Sequence, residues 1–163
     1  MVTDTEQLRR ARAAAAGVED PELPPLTIED LGILRSVRIE NGIVEVAISP
    51  TYSGCPAMTE IGAAIRTAVL AAGIEHVRVR HVLTPAWTTD WLTQAARQKL
   101  LAIGIVPPEP GAGPETLFGH TDPACPRCQS ADTERLGAFG STACKSLHRC
   151  RHCAEPFEAF KCH

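Results

Sequence analysis

Two Cys-x-x-Cys pairs dominate the end of this 163-residue chain, CPRC at 125–128 and CRHC at 150–153, with 21 residues between them. Four thiolates carried on two tight turns meet the tetrahedral demand of Zn²⁺. The separation suits a zinc ribbon, in which strands project the turns. A module of about 40 residues buries too little apolar surface to hold itself together. A structural zinc on Cys125, Cys128, Cys150 and Cys153 therefore supplies the missing stability. Redox dithiols or a cluster are the other uses of such pairs. A rubredoxin-type iron centre usually carries glycine after each pair, whereas Gln129 and Ala154 stand there. Cys144 and Cys162 lie outside the pairs and have three readings: an auxiliary thiol pair, alternative ligands, or core fillers. His148, His152 and His163 read as surface residues.

The rest of the chain is organised around a break. PPEPGAGPETLFGHTDPA (107–124) is rich in Pro and Gly and has no hydrophobic period, which marks a linker. The expected division is a domain over 1–106, a linker over 107–121 and a zinc-ribbon module over 122–163. Seven cysteines is an odd count, and four of them sit in metal-type pairs, which favours a reducing compartment over a disulfide framework. The RRARAAAA start lacks a useful apolar core for a secretory signal, and no stretch approaches the ~20 apolar residues of a membrane span. Cytoplasmic localisation follows as an expectation. A net charge of −3 provides no field that draws the chain to nucleic acid or to acidic lipid.

The first domain reads as α+β in the order α-β-β-α-β-α, with helices on a three-stranded mixed sheet. TDTEQLRRARAAAAG is a helix, with Thr3 or Thr5 as cap and Gly17 as stop. ILRSVRIE-NG-IVEVAIS is a hairpin, because Asn-Gly is the strongest two-residue turn signal. Its register sets Val37 opposite Val46 and Ile39 opposite Val44 on one face, with Arg38 facing Glu45 on the other. PAMTEIGAAIRTAVLAAG places Met58, Ile61, Ile65, Ala68, Val69 and Ala72 at helical spacing between Pro56 and Gly73. IEHVRVRHVL alternates as a strand with Val77 and Val79 inward and Arg78 and Arg80 outward. TTDWLTQAARQKLLAIG closes the domain as an amphipathic helix in which Trp91 packs with Leu92 and Ala95. Trp87, just ahead of it, is a core residue in preference to a partner anchor.

Cys55 is the one cysteine of this domain. It falls where the second strand gives way to the following helix. Helix N–H groups and the positive end of the helix dipole stabilise a thiolate at such a place, and a thiolate ligates soft metal or attacks as a nucleophile. The alternative is a small, buried, inert side chain. The local stretch offers neither a histidine base nor a Cys-x-x-Cys partner, so a Cys–His catalytic pair has no support. EDPELPPLTIEDLGIL (19–34) adds an acidic, proline-rich segment in which Asp20 and Glu22 flank Pro21 and Thr27 caps a short turn.

Taken together, DPELP…DLGIL and SPTYSGCP resemble the iron–sulfur assembly family that includes the bacterial SufT proteins and the eukaryotic cytosolic targeting factors. The resemblance spans about residues 6–106. By position it implies that Asp20, Pro21 and Glu22 form the family's acidic loop, and that Thr51 and Cys55 are its threonine and its essential cysteine. Cys55 would then handle iron or a cluster in transit. One thiolate cannot hold a [2Fe–2S] or [4Fe–4S] cluster, which takes four protein ligands as a rule. The cluster would be bridged across a homodimer, completed by partner thiols, or held only transiently. FGSTACK, EPFEAFKC and PAWTTDWL extend the likeness to the PaaD (PaaJ) family of phenylacetate degradation, which joins such a domain to a zinc ribbon.

That resemblance implies a metal-centre maturation factor for the multicomponent phenylacetyl-CoA oxygenase, which would be an accessory protein and not an enzyme. The oxygenase, its reductase components and the iron–sulfur assembly machinery would be its partners. The alternative is a small non-catalytic subunit acting during turnover. No Glu-x-x-His motif for a di-iron site is present, and no flavin or nicotinamide fingerprint. A zinc-ribbon nucleic-acid binder is disfavoured, since residues 122–163 carry six basic and five acidic groups.

Overall fold

A computed structural model describes residues 3–52, 54–111 and 122–161. The chain divides into two compact units, Met1–Trp87 and Thr88–His163.

In the first unit, α1 spans Asp4–Ala16, β1 Leu34–Glu40, β2 Ile43–Ile48, α2 Ala57–Ala71 and β3 Val77–His81. Thr3 caps α1 by accepting from the Glu6 N–H, and Gly17 ends it. Asn41 and Gly42 both take positive φ, as a tight Asn-Gly hairpin turn requires. The hairpin register is the expected one: Val37 pairs with Val46, Arg38 with Glu45 and Ile39 with Val44. β3 joins β2 in parallel, so the sheet order is β1-β2-β3 with mixed directions. Its helix-covered face is apolar, because Val44, Val46 and Ile48 alternate inward along β2. Ala57, Met58, Ile61, Ile65 and Val69 bury one stripe of α2. Ala11 and Ala15 do so for α1, which packs on α2 and β1 through small side chains.

The second unit begins earlier than the Pro/Gly composition indicates. A single 3₁₀ turn at Thr89–Trp91 leads to α3 (Gln94–Ala102), which Thr93 caps through the Ala96 N–H. α3 runs into β4 (Ile105–Val106), which pairs in parallel with β7 (Pro156–Phe160). With β5 (Thr133–Gly137) and β6 (Lys145–Cys150) this makes a four-stranded sheet of order β4-β7-β6-β5. Residues 88–106 thus belong with the ribbon, because backbone hydrogen bonds tie β4 to it. The start of the expected linker is also fastened: the Gly111 N–H donates to Asp90 Oδ1 at 2.8 Å, and Arg97 donates to the Pro108 carbonyl. Trp91 stands in the 3₁₀ turn, outside α3, and the buried stripe of α3 is Ala96 and Leu100, not the expected Ala95. No helix among the described residues is long and apolar enough to cross a membrane.

Candidate functional site

Each cysteine pair lies on a turn closed by its own backbone. The Cys125 N–H donates to the Ser130 carbonyl and the Gln129 N–H returns to the Cys125 carbonyl, both at 2.9 Å. In the second turn the Cys150 N–H donates to the Glu155 carbonyl at 2.9 Å, and the Cys153 N–H points at Cys150 Sγ at 3.4 Å. Gln129 and Ala154 hold the left-handed conformation, with φ of 62° and 61°, that glycine usually supplies after such a pair.

The two turns bring four sulfurs within 4.8 Å of one another. Cys125 Sγ lies 3.7 Å from Cys153 Sγ, and Cys128 Sγ lies 3.5 Å from Cys150 Sγ. A disulfide would need about 2.05 Å. A tetrahedron with metal–sulfur bonds of about 2.3 Å has edges near 3.8 Å, so the donor set and its spacing fit a four-thiolate metal site. Electrostatics agree. The Cys153 N–H and burial compete at Cys150, and the N–H groups of Cys153 and His152 win, setting its thiol at about 6. At Cys128 the Ser130 N–H pulls downward, but burial and the neighbouring thiols outweigh it and push the group up to about 12. At Cys153 a hydrogen bond from the Glu155 N–H lowers the thiol, and burial and its neighbours outweigh it and raise the group. Four thiols this close cannot all ionise alone. A divalent cation removes that conflict and releases their protons.

Cys144 is buried outside this group, with its sulfur 3.0 Å from Thr142 Oγ1. Cys162 and His163 lie outside the described residues. His152 is exposed, but His148 corrects the surface expectation. It is buried, stacked on Phe157 at 5.5 Å, and shares a 2.8 Å hydrogen bond between its Nε2 and Ser146 Oγ. Burial lowers its pKa, so neutral imidazole is favoured. The alternation of β6 carried this signal, since Ser146, His148 and the buried ligand Cys150 share one parity.

In the first unit, three segments leave the sheet at one end. The acidic segment enters β1 at Leu34, which pairs with Ile48 at the end of β2. The Ser49 N–H donates to the Ile33 carbonyl and the Val82 N–H to the Ile48 carbonyl, so the exits of β2 and β3 meet the same turn. Trp87 folds back on it as a buried core residue, its Nε1 donating to the Leu31 carbonyl at 2.8 Å. Within the acidic loop, Asp20 is a buried turn residue. Its Oδ1 accepts from the N–H groups of Glu22 at 2.8 Å and Leu23 at 3.1 Å. Thr27 and Asp30 cap the next turn reciprocally.

Thr51 is buried and Cys55 is a half-buried thiol. The Cys55 N–H donates to the Tyr52 carbonyl, and the Cys55 carbonyl accepts from Met58 in the first turn of α2. Pro56 is the cap position, one residue ahead of its expected place, and among the described residues no side chain caps the helix.

Sequence reasoning missed how completely the strand arginines enclose Glu45. This carboxylate is buried, with Arg38 and Arg78 each 2.8 Å away and Arg80 at 3.1 Å. Arg38, foremost, holds its carboxyl below the usual range.

Known proteins resemble this chain along most of its length. An iron–sulfur cluster assembly protein family matches residues 9–82, and the PaaD zinc beta ribbon domain matches residues 109–161. A protein of Escherichia coli (strain K12), described as one subunit of a "Putative 1,2-phenylacetyl-CoA epoxidase", is 46% identical over 159 residues, covering 96% of this chain and 93% of that one. The crystal structure of a DUF59 domain from Bacillus anthracis matches with a TM-score of 0.54 at 23% identity, over 60% of this chain and 93% of the other, and supports the fold. With an assembly-type domain followed by a four-cysteine ribbon along one chain, this protein belongs to the PaaD family.

Proposed function

We propose that this chain is a maturation factor for an oxygenase of the phenylacetyl-CoA epoxidase kind, loading iron or an iron–sulfur cluster into it before turnover. The observation that carries the reading is Cys55: a half-buried thiol at the entrance to α2, at the sheet end where the acidic loop arrives, in a segment matched by an iron–sulfur assembly family. Cys55 takes the iron or cluster as cargo, with Thr51, Asp20 and Glu22 beside it. Asp20 shapes the loop through its two N–H contacts. One thiolate leaves most of a cluster's ligand shell to a second copy, a recipient or the assembly machinery, and weak holding suits a carrier. The ribbon's four thiolates hold zinc as a structural ion, and the protein works in the cytoplasm.

A second reading, a small component acting during turnover, is favoured by the likeness to the Escherichia coli protein described as an epoxidase subunit. Cells carrying Cys55→Ala separate the two. Under the maturation reading they accumulate folded oxygenase or reductase that lacks iron and activity, and adding this protein to mature enzyme leaves its rate unchanged. Restoration of a fully metallated but slow oxygenase by purified protein, without added iron or sulfide, supports the turnover reading and ends the first.

A further inference from the structure

Opposite the helices, the first sheet carries a basic face on an acidic chain. Arg35, Arg38, Arg78 and Arg80 stand there against Glu40 and Glu45, while the whole chain has a net charge of −3. At one end of this face lies a cavity of about 190 Å³. Ala47 and Ser49 are its buried floor, and Arg35, Arg80 and Pro85 line it nearer the solvent. Val82 and Pro85 add apolar surface beside the guanidinium groups.

Two groups at this cavity can each offer donors to an acceptor. Ser49 is 1% exposed, and its Oγ has no hydrogen-bond partner among the described residues, although its N–H donates to the Ile33 carbonyl. A buried hydroxyl left this way is costly. Among the described residues Arg80 donates to Glu45 through its Nε–H, and its half-exposed terminal N–H groups stand at the rim where they can meet an acceptor.

We propose that this cavity binds a small carboxylate with an apolar body. The planar carboxylate matches the guanidinium fork of Arg80, with Arg35 adding charge from the rim. Rotation about Cα–Cβ aims the Ser49 hydroxyl at the second oxygen. A cavity of roughly 150 Å³ accommodates benzene, so one ring with a short arm fits the volume here. Bare phosphate would leave Ala47, Val82 and Pro85 uncovered. This site is independent of Cys55 and stands whether or not the maturation reading holds.

The test is titration of the full-length, metal-loaded protein with sodium phenylacetate, phenylacetamide and inorganic phosphate, followed by calorimetry and amide NMR. Phenylacetate should saturate and shift the Ala47, Ser49 and Arg80 signals, with the neutral amide at least about tenfold weaker. Arg80→Gln and Arg35→Gln should each weaken phenylacetate about tenfold, and Ser49→Ala a few-fold with no loss of Tm. Arg35→Gln leaves all three arginines on Glu45, so it reads the site even where Arg80→Gln disturbs folding. Tighter binding of phosphate than of phenylacetate, shifts elsewhere, or affinity indifferent to Arg35 and Arg80 would overturn the assignment.

Discussion

The two units solve the problem of holding a small fold together in different ways. The first buries Leu26, Ile28, Leu31, Ile33, Ile48, Ile61 and Ile65 almost completely, an apolar core that needs no metal. Around the sulfurs of the second, the apolar cluster is Cys125, Cys150 and Phe157, flanked by Val106 and Cys153. There the ligands are also core residues. Where four thiols close around one point, a metal held there would be part of the structure. The half-buried Cys55, by contrast, stands at the entrance to α2 on a scaffold whose core lies elsewhere, so under the proposed reading it can exchange a cargo.

That contrast breaks most directly at Cys125. Cys125→Ser should abolish metal content and unfold the ribbon, because structural zinc contributes on the order of 10 kcal/mol to such modules. Circular dichroism and NMR should show the first unit intact. Full zinc occupancy in this variant would refute the four-thiolate assignment. Next in size is Cys55→Ala, which should abolish delivery to the recipient while leaving the ribbon's metal content unchanged and stability within about 1 kcal/mol. A large fall in Tm would mean that Cys55 is a packing residue.

Acid should act on the first unit through Glu45. Its folded pKa is lowered, mainly by the hydrogen bond from Arg38, so the unfolded state takes the proton first. The stabilisation is present above the ordinary carboxylate value near 4.5 and is lost as pH falls through the lower folded value. Melts of wild type and Glu45→Gln should converge below that range and separate above it. Parallel curves at every pH would remove Glu45 as the cause. The smallest effect belongs to the ribbon turns. Gln129→Gly and Ala154→Gly should each stabilise the metal-loaded form by about 0.5–1 kcal/mol, since both native residues hold positive φ. Destabilisation by either would show that its side chain matters more than its backbone.

Much of this was legible in advance, and the reasons differ by element. The hairpin register followed from one Asn-Gly turn and strict alternation, since a slip of one residue would have turned Val44 and Val46 to the wrong face. The cysteine turns followed from spacing. The allegiance of 88–106 did not, because a two-residue strand such as Ile105–Val106 has no period to read. Nor did the meeting of strand exits at one end of the sheet, because the tie of Ser49 to Ile33 and of Val82 to Ile48 depends on which strand ends are adjacent. The hairpin register alone sets Glu45 opposite Arg38, but its enclosure requires the parallel pairing of β3, which sets Arg78 beside it.

The pairing of β4 with β7 has a practical corollary for anyone cutting this gene. A fragment starting near residue 122, where the cysteine pattern invites the cut, would leave the β7 border bare and offer unpaired peptide groups to the next molecule. A fragment starting at Thr88 keeps that border covered, while the opposite border already carries charged Glu134 and Arg135 and a register irregularity. The transplantable unit is therefore longer than the zinc motif, and a ribbon grafted without its preceding helix and two-residue strand should form soluble aggregates even when fully metallated.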